Sequence, residues 1–128
     1  MIFTTPVSLG ELFDKISILL IKKKKIKNRN KLTLINNELK KLQSILAKSN
    51  IKKDKLKKYL NLLKNINLKL WMVEDKLREC EKSNNFNNNF IKLARSVYFT
   101  NDERSEIKKS INKLLNSEIV EEKSYSKY

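Results

Sequence analysis

The chain of 128 residues has no histidine and only one residue each of cysteine, proline, glycine and tryptophan. Without histidine there is no His-ligated zinc site and no Ser-His or Cys-His nucleophile pair. Cys80, standing alone, excludes an internal disulfide and fits a reduced, cytoplasmic setting. Gly10 and Pro6 both lie near the N-terminus, so nothing beyond residue 10 is expected to supply the left-handed turns that β-hairpins favour. β-branched runs are short and Leu, Lys, Glu and Ile are plentiful, so the expected class is all-α. Long apolar runs are missing too. "ISILLI" (16–21) is the longest near the N-terminus, too short for a signal core or a membrane span.

Acids are scarce in one half of the chain. Residues 15–69 carry eighteen Lys/Arg against two acids, Glu38 and Asp54, a net of +16. The rest carries eleven Lys/Arg and twelve Asp/Glu, a net of −1. Such a half is the electrostatic footprint of a nucleic-acid or acidic-membrane binder. A plainer account competes with it. Lys, Asn and Ile are what AAA, AAT and ATT codons supply, and lysine then fills solvated helix faces. The aromatics do not interleave with the lysines as a stacking platform requires. Arginine is rare, four among 29 basic residues, and Arg78, Arg95 and Arg104 fall outside the basic half. Where lysine is the default, the forked guanidinium is the more informative choice.

Periodicity predicts a single domain over 1–128, a bundle of about five helices. Residues 1–7 read as an extended lead-in. "SLGE" (8–11) is a capping box in which Ser8 accepts from the Glu11 amide and Glu11 reaches back. The first helix then runs to about Lys27, apolar over a wide arc and therefore central. "NRN" (28–30) is a turn with Asn30 as the expected N-cap. A second helix over about 31–48 carries the 3-4 seam Leu32, Ile35, Leu39, Leu42 and Leu46. The third spans about 53–82, roughly 45 Å at 1.5 Å per residue, so one end is expected to protrude or to pack against a second copy as a homodimer. "SNNFNNN" (83–89) is a loop with Phe86 as its inward anchor. A fourth helix (about 89–99) turns Phe90, Leu93, Ala94 and Val97 inward. "TNDE" (100–103) reads as a second capping box, opening a fifth helix to about Leu115 with Ile107, Ile111, Leu114 and Leu115 inward. Residues 117–128 are a tail whose two tyrosines suggest docking.

Three groups of residues are candidates for binding. On the third helix Asn67, Trp71, Glu74, Asp75 and Arg78 share a face beside the apolar stripe. Arg95, Tyr98 and Asn101 lie beside the expected start of the fifth helix, where free amides would attract an anion. The tail adds Glu121, Lys123 and Tyr125. Each group also has a structural reading: a solvated face, a cap with an ion pair, a fraying end. Catalysis has a thinner basis, with Glu74, Asp75 or Glu121 as acid–base groups and an arginine as clamp. No glycine loop, metal-ligand spacing or paired nucleophile is present, so no cofactor or metal is expected.

"PVSLGELFDKISILLIK" (6–22), "LWMVEDKLRECE" (70–81), "FIKLARSVYFTNDERSEIKKSIN" (90–112) and "EEKSY" (121–125) together resemble a family of short bacterial and phage proteins catalogued as a domain of unknown function. The similar positions include Gly10 to Leu12, Asp14-Lys15, Trp71, Glu74-Asp75, Arg78, Ala94-Arg95, Val97-Tyr98, Asn101-Asp102 and Glu121 to Tyr125. The resemblance covers nearly the whole chain and implies that the basic middle is its changeable part. It implies no activity. The expectation is a cytoplasmic binding module for an anionic small molecule or acidic peptide. Trp71, Glu74, Asp75 and Arg78 would face Arg95, Tyr98, Asn101 and the tail, with Asp14 and Lys15 nearby. A small enzyme of anionic metabolites, or a sequence-independent nucleic-acid binder through residues 15–69, are the alternatives.

Overall fold

A computed structural model describes residues 1–128 and contains four α-helices and no strand. Helix α1 (Leu9–Lys25) opens as expected, with Ser8 Oγ accepting from the Glu11 amide at 3.1 Å. The reciprocal half of the box is absent, because the Glu11 carboxylate is held by Lys108 instead. Four lysines close its last turn, where cations suit the helix dipole. Helix α2 (Arg29–Ala47) is capped by Asn28, not Asn30: the Asn28 side chain accepts from Lys31 N at 3.0 Å. Helix α3 (Lys53–Lys82) has the predicted bounds.

Helix α4 (Asn88–Leu114) corrects the expectation of two helices broken at Thr100. Asn87 caps it by accepting from Phe90 N. "TNDE" has the form of a capping box, yet neither proline nor glycine interrupts the segment. Thr100 is only 1% exposed in the middle of the helix, on an inward stripe that continues through Arg104, Lys108 and Ile111. Burial of that stripe outweighs a local cap, which would yield one hydrogen bond and leave the inward face broken. Phe86 and Leu114, both expected inward, are half or more exposed, and Phe86 instead stacks edge-to-face on Phe90 at 5.1 Å.

The left-handed backbone expected to be missing after residue 10 is supplied by asparagine. Asn84 (φ 50°) and Asn116 (φ 53°) each follow a helix end. After Asn84, Asn85 N–H bonds to Cys80 O and Asn84 N–H to Glu81 O. After Asn116, Ser117 N–H returns to Asn112 O. These are Schellman closures with asparagine in the place glycine usually takes.

Helix α1 packs against all three other helices. Phe13, Ile16, Leu19, Leu63 and Ile111 form the centre of the core, joined by Ile35, Leu39 and Leu46 of α2 and Tyr59 of α3. Gly10 lets α1 meet α4 closely, since a Cβ there would stand 2.7 Å from the Lys108 carbonyl oxygen. Beyond Val73 the far half of α3 and the first half of α4 pack on each other outside the core, and no side chain from 74 to 99 is fully buried. That two-helix arm has a half-buried seam of Leu77, Cys80, Phe90, Leu93 and Val97. No helix is long and apolar enough to cross a membrane.

Candidate functional site

The inner faces of α1, α3 and α4 meet around a buried carboxylate. Asp14 is 2% exposed. Its Oδ1 accepts from Asn67 Nδ2 at 2.7 Å, while its Oδ2 pairs with Arg104 at 3.1 Å and stands 3.6 Å from Lys108 Nζ. Asn67 spends its second N–H on Ser17 Oγ at 2.8 Å, and that hydroxyl donates to the Asp14 carbonyl. Lys108, also buried, reaches Glu11 at 2.7 Å and Glu121 of the tail at 2.9 Å. Burial pushes the Lys108 ammonium down, but hydrogen bonds to Glu11 and Glu121 and the charge of Asp14 outweigh it and hold the group above its ordinary value. The Lys108 hydrogen bond in turn holds Glu121 below the usual carboxylate range. Buried charges persist in this way only when paired and hydrogen-bonded. Nearby, Asn112 Oδ1 accepts from Gly10 N at 2.7 Å, and Ser117 Oγ from Leu9 N at 3.1 Å.

Above this network lies an open cleft of about 470 Å³ between α1, α3 and α4. Its apolar base is Ile18, Ile21 and Leu70, and Trp71 stands half-buried in its wall. Arg104 enters from α4, steadied from below by Asp14, with its side chain 29% exposed. Arg78 enters from α3, highly exposed and loosely paired with Glu74 at 3.7 Å. Asp75, on the same rim, makes no ion pair. A planar indole, two guanidinium forks on different helices and a free carboxylate therefore converge on one space.

A second cleft of about 560 Å³ lies where the tail crosses α4. Tyr98, Asn101 and Asp102 form one wall, and Lys123, Tyr125 and Tyr128 the other. The Tyr128 hydroxyl donates to the Asp102 carboxylate, which pushes the phenol up to about 12. Tyr98, Phe99 and Tyr128 stack with centroids 4.9 to 5.1 Å apart. Arg95 donates to the Tyr98 hydroxyl at 3.3 Å and lies over the Phe99 ring. Lys123 lies over Tyr125. The faces of Phe99 and Tyr125 are thus each met by a cation of the same chain, as the ring quadrupole favours.

The residues picked out by sequence are therefore divided among several places. Trp71, Glu74, Asp75 and Arg78 line the first cleft, and Tyr98, Asn101, Lys123 and Tyr125 the second. Asp14 lies beneath the first, Glu121 is engaged by Lys108, and Arg95 lies beside Phe99 on the outside of α4. Lys15 is turned away towards α2, where it pairs with Glu38 at 3.6 Å. No helix N-terminus faces Arg95, because Asn101 and Asp102 are interior to α4 and their amides are not free for an anion. Sequence reasoning singled out Arg104 as an informative arginine but placed it in no site, and it missed Lys108, Asn112 and Asn67 as a buried donor. The signal for the residues on α4 is the four-residue step Thr100, Arg104, Lys108, Asn112, a helical stripe written in polar residues. No group of three or more Asp, Glu or Cys side chains converges as a metal site.

Neither a curated protein nor a solved structure matches the chain. A family model does match, over residues 4–128, and on that near-complete coverage the chain belongs to the family of unknown function DUF6165.

Proposed function

We propose that the protein is a binding module whose Trp71 cleft takes an anionic small molecule. The observation that carries this reading is the pair of arginines, Arg78 of α3 and Arg104 of α4, opening onto one cleft beside Trp71. Arg104 is pre-oriented by a buried carboxylate and has donors to spare, and preorganised forks suit carboxylate or phosphate. Asp75 adds an acceptor for a hydroxyl or amine on the same ligand. A cleft with an apolar base and a few convergent polar groups is the usual form of a small-molecule site. Two of the three acid–base candidates favour binding over catalysis. Glu74 is engaged by Arg78, and Glu121, held low by Lys108, stays an anion near neutral pH and is a poor proton donor. We place the module in the cytoplasm, where the free thiol of Cys80 stays reduced.

Trp71 is the only tryptophan, so its fluorescence reports this cleft without interference. Titration with a panel of anionic metabolites at constant ionic strength is expected to give a saturable change for at least one compound. Arg78→Ala, an exposed position that leaves the core intact, should weaken that compound by roughly tenfold or more, as loss of a charge-assisted bond implies. A panel without a saturable response, or an Arg78→Ala variant of unchanged affinity, defeats the reading.

A further inference from the structure

Past Ile21 the surface between α1 and α3 changes character. A cleft of about 280 Å³ there has Lys24, Lys25 and Lys64 around Ile21 and Leu68. It adjoins a second, of about 330 Å³, which shares Lys64 and adds Lys53, Lys57 and Asn61 along α3. No carboxylate lines either one. None of the five lysines makes an ion pair, and in the whole basic half only Lys15 does. Lys24 and Lys64 line the same cleft, and the neighbouring Lys24 ammonium lowers the proton affinity of Lys64. Two like charges turned into one cleft repel, and an anion between them reverses the sign of the interaction.

The spacing suits a linear polyanion. Lys53, Lys57 and Lys64 recur at i, i+4 and i+11 on one face of α3, a span of roughly 16 Å at 1.5 Å per residue. A nucleic-acid strand with one phosphate per roughly 3.4 Å presents up to about five charges over that length. The two clefts run on from one another through Lys64, so a strand laid along α3 meets their lysines in succession. No aromatic side chain lines them, so bases find no stacking partner and contact falls on the backbone. We propose that the Lys24–Lys64 groove holds the phosphate backbone of a single-stranded nucleic acid, without regard to its sequence. This site is separate from the Trp71 cleft, and its test leaves that reading untouched.

The test is anisotropy of labelled poly(dT) and poly(rU) strands with the full chain across a salt series. Five phosphate contacts on a single strand predict a slope near −3.5 in log affinity against log salt, about a hundredfold loss between roughly 50 and 200 mM. Lys64→Glu should weaken binding at least tenfold while leaving the unfolding midpoint unchanged or higher, because the new carboxylate relieves Lys24. Lys31→Glu on α2 changes the net charge equally and should cost much less. Equal losses from the two variants reduce the effect to overall charge and overturn the groove. So does a salt slope shallower than about −1, or binding to phosphatidylserine vesicles that is tighter than to either strand and is lost in Lys64→Glu.

Discussion

Replacing Asp14 by asparagine removes one charge from the centre of the molecule and almost no volume. Its Oδ1 still accepts from Asn67, so no cavity opens. What is lost is the partner of Arg104, 3.1 Å away, and one of three anions around Lys108. Lys108 keeps Glu11 and Glu121, so most of the damage falls on Arg104. Removing one partner of a fully buried pair costs about 3–5 kcal/mol. Arg104 is partly open to the cleft and recovers some hydration, which brings the expected loss to about 2–3 kcal/mol. With a urea slope of about 2 kcal/mol/M, the middle of the range for small proteins, the unfolding midpoint falls by roughly 1–1.5 M. Adding Arg104→Gln to Asp14→Asn should restore part of the loss, because the orphaned guanidinium is gone and the two positions are coupled. Urea unfolding followed by circular dichroism measures both. If Asp14→Asn stays within about 0.5 kcal/mol of the parent, the carboxylate does not organise the three-helix junction.

Asn101→Pro separates one long α4 from two shorter helices. Proline is favoured at the first position after an N-cap, but inside a continuous helix it costs about 3 kcal/mol or more, and thermal unfolding should show the larger penalty. Gly10→Ala gains up to about 1 kcal/mol in helix propensity but drives a Cβ against the Lys108 carbonyl; overpacking of about 1–3 kcal/mol should win, read as a lower urea midpoint. Stability should also be flat between two pH edges. Lys108, raised above 10.5, contributes fully below that value and loses its contribution as pH climbs through the folded value. Glu121, lowered below 4.5, contributes above that value and loses its contribution as pH falls through its folded one. Lys108→Gln should lower the plateau and soften both edges, and unchanged edges in urea midpoints against pH would show that this cluster does not set them.

Much of the fold could be read from the residues because the signals are local. Ser8 and the apolar arc of α1, the 3-4 seam of α2 and the leucine ladder of α3 each announce a helix, and the bounds of α3 match at both ends. The reading failed where polar residues face inward. Thr100, Lys108 and Asn112 occupy core positions and Arg104 lies half-buried on the same stripe, so apolar spacing has a gap there that a plausible cap fills. Partners far apart in sequence were invisible for the same reason. Nothing local in Asp14 points to Asn67 or Arg104. The site residues suffered likewise: Trp71 and Arg78 share a helix and could be grouped, whereas Arg104 joins them only through tertiary packing. Asparagine in the left-handed turns was overlooked because glycine is their usual occupant, and this chain has almost none.

The meeting of α1 and α4 also bears on how the protein is made. The bonds from Leu9 to Ser117 and from Gly10 to Asn112 join residues more than a hundred positions apart. At about 5–20 residues per second, a nascent α1 waits on the order of 5–20 s for its last partner to emerge. During that interval Phe13 and Ile16 have α2 and then α3 to cover them, but Asp14 lacks its cations. An unpaired carboxylate keeps the half-made junction hydrated and discourages premature dry collapse. The ionic centre is therefore complete only once α4 delivers Arg104 and Lys108.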